Sequence, residues 1–315
     1  MDTPVPELIN ARPVPRPSTW VWAAIVLVLV AMFIHGLFTN PNYRWDIVGQ
    51  YLLDPRIVAG VGWTLLLTVG SMAIGIVLAV LMAIMRQGTN PVLRGVSTVY
   101  IWFFRGTPIY TQLVFWGLLS VLYPTLSLGV PFGPEFVTFE TSVVFNAAIA
   151  ALLGLGLNEG AYLAEIVRGG LNSVDKGQSE AATALGMKRS TTLWRIIIPQ
   201  AMRVIVPPTG NETISMLKTT SLVLAVPFTL ELTFVTNALG NQKFLPVPLL
   251  IVAAIYYLAI TSILMVGQHY VEAYYGRGFD DPSGARGAAK GMSKRQQSIL
   301  AAGTVREDPN LDVTP

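Results

Sequence analysis

Apolar runs of about twenty residues recur along this chain, and they restrict its fold more than any other feature. A helix needs about 20 consecutive apolar residues to cross roughly 30 Å of hydrocarbon. Inside a bilayer its backbone must be satisfied within the segment. Six stretches reach or approach that length: 20–38, 58–85, 97–122, 142–167, 204–226 and 249–268. Only 12% of the 315 residues are charged and 52% are hydrophobic, against roughly 25% charged in soluble domains. The expected fold is all-α, a polytopic membrane helical bundle of about six transmembrane helices. The first run follows Arg12 and Arg16, as a signal peptide would, but its length and the lack of a small-residue cleavage site near Asn40 predict a retained helix.

Charge sets the expected orientation. Of the 21 Lys and Arg, only Arg44, Arg56 and Lys243 fall in one set of loops, while Arg105 and Lys218 lie within runs. The rest gather in the other loops and at both ends, which predicts that both termini are cytoplasmic. From Gly276 onward the sequence has little apolar content and reads as a flexible tail. Several chemistries are excluded. There is no cysteine, hence no disulfide or thiolate site, and His35 and His269 are too far apart and too few for zinc. No G-x-x-x-x-G-K-[ST] segment is present to cradle nucleotide phosphates, and no Ser, His and Asp arrangement suggests a hydrolase. No nucleic-acid partner is expected.

Against this background the polar block "EAATALGMKRSTTLWRIIIPQ" (180–200) stands out. Asn172 or Ser173 can cap a short Ala-rich helix closed by Gly186, and Ser190 can cap a second helix before Pro199. A basic hairpin lying on anionic lipid is one reading; a docking element for a cytoplasmic partner is the other. Polar residues also sit inside the runs, where they are expensive and usually face a wet interior. Asn158, Tyr162 and Glu165 follow one helix face with Glu159 beside it. Asn211, Ser215 and Lys218 follow another with Glu212 adjacent, and Arg105 and Gln112 straddle the Gly106-Thr107-Pro108 break. Arg105, Gln112, Asn158, Glu159, Tyr162, Glu165, Asn211, Ser215 and Lys218 are the candidate lining of a solute pathway. The two stripes are expected to face one another with Arg105 close to a carboxylate, unless Arg105, Glu165 and Lys218 merely pair to hold helices together. A zwitterion needs both an acceptor and a donor, and the set offers both. An ion-coupled transporter or channel could use the same charges, and a membrane enzyme is a further alternative.

Spacing separates these readings. Glu180, Ala181 and Ala182, then Gly186, then Ile196, Ile198 and Pro199 fit EAA-x3-G-x9-I-x-L-P, with Ile198 in the Leu place. Together with "TLLLTVGSMAIGIVLAVLMAIMR", "FFRGTPIYTQL" and "IIIPQAMRVIVPPTGNETISMLKTTSL", this resembles the permease subunits of type I ABC importers, in the polar amino-acid branch of histidine and glutamine permeases, over roughly 64–278. The resemblance implies a permease core at 58–275, with a coupling loop near 172–200 that seats on a separate ATPase through Glu180, Ala181, Ala182, Gly186, Ile196 and Pro199. It implies an added helix and outside loop at 20–57, flanked by a cytoplasmic segment 1–19 and the tail 276–315. Asp175 departs from the proline usual in that branch. The implied partners are two ATPase subunits that hold ATP and Mg, an extracytoplasmic amino-acid-binding protein, a second permease copy or sibling, and lipid. The chain itself would bind no cofactor and no metal, would catalyse no reaction, and would lie in a bacterial cytoplasmic membrane.

Overall fold

The computed structural model describes residues 17–277. The expected tail beyond residue 277 and the expected cytoplasmic segment up to residue 16 lie outside the described residues. The chain opens with α1 (Pro17–Thr39), a 3₁₀ turn (Pro41–Tyr43) and α2 (Trp45–Tyr51). Next come α3 (Pro55–Gln87) and α4 (Pro91–Gly106). Both start with proline, whose missing N–H is no loss in a first turn. Both are capped by the residue before it: Asp54 accepts from the Arg56 amide at 2.9 Å and Asn90 from the Val92 amide at 2.9 Å.

The chain continues through α5 (Ile109–Gly117), α6 (Leu119–Leu122), strands β1 (Thr125–Gly129) and β2 (Glu135–Glu140), α7 (Thr141–Val144) and α8 (Ala147–Asn172). It ends with α9 (Lys176–Ala184), α10 (Arg189–Thr192), a π turn (Leu193–Ile197), α11 (Ile198–Thr219), a 3₁₀ segment (Thr220–Ala225), α12 (Leu232–Lys243) and α13 (Pro246–Tyr275).

Four helices, α1, α3, α8 and α13, are long and apolar enough to cross a membrane. The other two expected spans are interrupted. The run 97–122 is broken at Thr107 and Pro108 into α4 and α5. The run 204–226 is a polar helix with Pro207 and Pro208 inside it, continued by the 3₁₀ segment. Proline removes a donor and crowds the preceding turn, so apolar length alone could not show either interruption. The hairpin β1–β2 was also unforeseen. Its register pairs Leu126 with Phe139 and Leu128 with Val137 on one apolar face, and Phe132 at its tip adopts φ 63°.

Packing divides the chain into two units. Among the described residues the first comprises 17–165 and 212–264. Its burial pattern inverts that of a soluble protein. Thr64, Thr68, Ser71 and Ser97 are buried, whereas Val69, Val77, Trp102 and Leu258 are exposed, as expected of side chains that face lipid. Helices α3 and α8 approach closely: a Cβ on Gly75 would lie 3.0 Å from the Glu159 side chain. A cluster of Val48, Ile57, Leu232, Leu239, Leu249, Val252 and Ala253 joins α2, α3, α12 and α13. Glu231, fully buried beside it, caps α12. It accepts from the amides of Thr233 and Phe234 at 2.7 and 3.4 Å, from the Thr64 hydroxyl at 2.8 Å and from the Tyr257 hydroxyl. Helix α1 contributes nothing to this core, since its most apolar window is 0% buried.

Among the described residues the second unit comprises 166–211 and 265–277. In it Gln268 of α13 donates to the Pro207 carbonyl at 2.7 Å and to Glu272 at 2.9 Å. Gly210 makes room for that side chain, because a Cβ there would collide with the Gln268 amide.

Candidate functional site

Within the first unit, α4, α8 and α11 surround a cavity of about 570 Å³. Arg105, Gly106 and Thr107 line it from the α4–α5 break, Asn158, Glu159 and Tyr162 from α8, and Glu212, Ser215, Met216 and Thr219 from α11. The regular 3.6-residue period of α8 brings Asn158, Glu159 and Tyr162 to one side. The guanidinium of Arg105 lies over the Tyr162 ring, 5.2 Å from its centroid, in a cation–π contact. Glu159 is buried, and its Oε1 has no hydrogen-bond partner among the described residues. An unpaired buried carboxylate oxygen is costly. A cavity lined by this acid together with Glu212 is suited to a cationic solute.

Several expectations are corrected. Glu165 is not on the cavity wall; it forms an ion pair with Arg86 of α3, a residue the sequence reading had placed in a loop. Lys218 is exposed, is absent from the cavity wall and makes no ion pair among the described residues. Asn211 belongs to the second unit, where its amide donates to Glu272 at 3.5 Å. On α11 the lining is therefore Glu212, Ser215, Met216 and Thr219: Ser215 stands where expected, and Glu212 and Thr219 take the places of Asn211 and Lys218. Arg105 meets an aromatic face; no carboxylate pairs with it among the described residues. In place of the expected set of three, Glu165 is paired with Arg86 and Arg105 rests on the Tyr162 ring. Gln112 lies behind the wall, donating at 3.0 Å to the Phe104 carbonyl and at 3.1 Å to that of Thr107.

The coupling block belongs to the second unit. Helix α9 is capped by Asp175, which accepts from the Gly177 amide at 2.6 Å. The expected caps Asn172 and Ser173 instead close α8, Ser173 donating backward to Gly169 at 3.0 Å. At its other end Gly186 takes φ +70°. The amide of Gly186 bonds the Thr183 carbonyl at 2.9 Å and that of Met187 bonds Ala182 at 3.0 Å. That pair of bonds is the Schellman closure, which favours glycine at the left-handed position. Lys188, not Ser190, is the N-cap of α10. Nor does the second helix stop before Pro199. It continues through the π turn into α11, because a proline without an N–H is accommodated by one wider turn. Ala182 is buried while Glu180 and Ala181 are exposed, with Leu185 81% and Trp194 69% exposed beside them. Ile196 is half-buried and Pro199 exposed.

Comparison with known proteins accords with this geometry. Residues 75–275 match the model of a family described as binding-protein-dependent transport system inner membrane component. The chain is 47% identical over 314 residues to the arginine transport system permease protein ArgU of Corynebacterium glutamicum, covering 99% of this chain and 95% of that one. It is 33% identical over 229 residues to the L-cystine transport system permease protein TcyB of Bacillus subtilis, covering 72% of this chain and 89% of the relative. Among solved structures, an amino acid ABC transporter crystallised with histidines matches with TM-score 0.59 and 30% identity over 73% of this chain and 98% of that one.

Proposed function

Because the chain belongs to the family of binding-protein-dependent transport system inner membrane components, we propose that it is the permease subunit of an ATP-driven importer of amino acids with a cationic side chain. One observation carries the substrate class: a single cavity holds Glu159, Glu212 and Arg105, with one oxygen of Glu159 unpartnered. Arg105 would receive the α-carboxylate. Two carboxylates are one more than an α-ammonium requires, which leaves one for a guanidinium or a second ammonium. The arginine transport named for the Corynebacterium relative supports this reading.

The energy would come from two partner ATPase subunits that hold ATP and Mg, since this chain lacks a phosphate-cradling loop. The exposed Glu180, Leu185 and Trp194 on and around the Gly186 turn supply the surface on which such a subunit would seat. An extracytoplasmic binding protein would deliver the amino acid. A second permease, identical or a sibling, would complete the transmembrane pair, with both termini cytoplasmic and α1 as an added lipid anchor.

Uptake into proteoliposomes containing the assembled complex tests the proposal. Arginine should be carried, and citrulline, which has a neutral ureido group in place of the guanidinium, at least about tenfold less well. Glu159→Gln should reduce arginine uptake by about tenfold, the worth of one charged hydrogen bond, and leave citrulline unchanged. Equal transport of both amino acids would refute the substrate class. Uptake by the permease without any ATPase would mark an ion-coupled transporter instead.

A further inference from the structure

The break between α4 and α5 leaves backbone carbonyls without helical donors. Pro108 has no N–H to give to the Phe104 carbonyl four residues earlier, and Thr107 before it is extended, at φ −112° and ψ 144°. Two buried amides meet this deficit. Gln112, 5% exposed, places Nε2 at 3.0 Å from the Phe104 carbonyl, 3.1 Å from that of Thr107 and 2.7 Å from the Thr107 hydroxyl. Asn158, 7% exposed, donates to the same Phe104 carbonyl at 2.9 Å and to Gln112 Oε1 at 3.2 Å. Every amide bond of Gln112 is thus made at the break or to Asn158. Arg105 is the next residue after Phe104, and its guanidinium rests on Tyr162, one helical turn along α8 from Asn158. The knot and the cation–π contact are neighbouring grips on the same short segment.

We infer that Gln112 is a positioning residue, whose amide fixes the α4–α5 break so that Arg105 is held over Tyr162 inside the solute cavity. This rests on the reading of that cavity as the solute site. Gln112 touches no solute itself, and it acts through the backbone of Phe104 and Thr107. The apolar isostere Gln112→Met removes the bonds to the break but leaves Asn158 bonded to the Phe104 carbonyl, so the helices retain a shared contact.

Two measurements on the assembled complex test the inference. The chain contains no cysteine, so any thiol adduct on an Arg105→Cys variant reports that position alone. Adding Gln112→Met should slow its modification by a small water-soluble methanethiosulfonate at least about fivefold, as the segment turns away from the cavity; an unchanged rate overturns the inference. In proteoliposomes Gln112→Met should raise the KM for arginine about tenfold with kcat within about twofold, the size expected for one lost buried hydrogen bond felt on binding. In an Arg105→Ala background the same change should add less than about twofold. A fall in kcat at constant KM, or a full KM effect without Arg105, marks a merely structural amide and also overturns it. Labelling needs no solute. Slowed labelling in a transporter that fails to discriminate arginine from citrulline would uphold the positioning role while refuting the substrate class.

Discussion

Removing the carboxylate of Glu231 would strand three donors at once, the hydroxyl of Thr64 and the amides of Thr233 and Phe234, and leave the Tyr257 hydroxyl only its contact with Thr233. Glu231→Ala is expected to lower stability by about 3 kcal/mol, because buried donors without partners cost more than a good bond contributes. Glu231→Gln should cost only about 1 kcal/mol. Its amide oxygen can accept from the backbone, while the two hydroxyls turn to accept from its NH₂. Thermal unfolding of the purified chain in detergent checks both values, and equal losses would show that the site depends on charge alone. The sequence contained no sign of this network, since Thr64 and Glu231 are 167 positions apart. Asn158, Glu159 and Tyr162 were legible because α8 is regular through them. Glu212 was adjacent to the expected stripe yet missed, for a polar helix containing Pro207 and Pro208 offers two overlapping stripes and only packing selects between them. The partner of Glu165 was illegible for the same reason as that of Glu231: Arg86 is 79 residues away, on another helix.

The turn between α9 and α10 makes a sharper test than any single contact. A Cβ on Gly186 would meet nothing within 4 Å, so its left-handed φ of +70°, not crowding, is what demands glycine. Gly186→Asn should therefore be tolerated, since asparagine visits that region, whereas Gly186→Val should cost at least about 1–2 kcal/mol locally. Co-purification with the ATPase subunit should be retained in the first variant and weakened in the second. Equal binding by both would remove the turn from the coupling surface. This element was the most legible part of the chain, because a left-handed glycine closing an Ala-rich helix leaves a local signature. Its flanks were read less well. Asp175 displaced the expected caps because α8 runs on through Asn172, and Pro199 widened a helix that it was expected to end.

For the whole molecule, α1 invites the simplest experiment. None of its most apolar window is buried, while α2 stays docked through Val48 in the core of the first unit. Deleting residues 1–40 should leave assembly intact and transport above about half of the full chain, because the described part of this segment gives up only local contacts with Trp45 and the turn after it and none with the buried cluster. Uptake and complex yield measure both; abolished transport in a normally inserted and assembled complex would place α1 in the pathway. Bundle class and the four uninterrupted spans were visible as apolar length. The Gly106-Thr107-Pro108 break was visible as well, but the interruption of the run 204–226 and the hairpin were not, because they are decided by which carbonyls find donors. The buried carboxylate of Glu231 also imposes an order in time. Its acceptor sites are filled by residues of α3, α12 and α13, so this acid has no settled place in the apolar phase until the last of these helices has been made. A nascent chain halted before Tyr257 holds Thr64 waiting in the membrane and Glu231 still incompletely partnered. Biogenesis of this corner therefore runs against the direction of synthesis: the second span is finished only when the final one arrives.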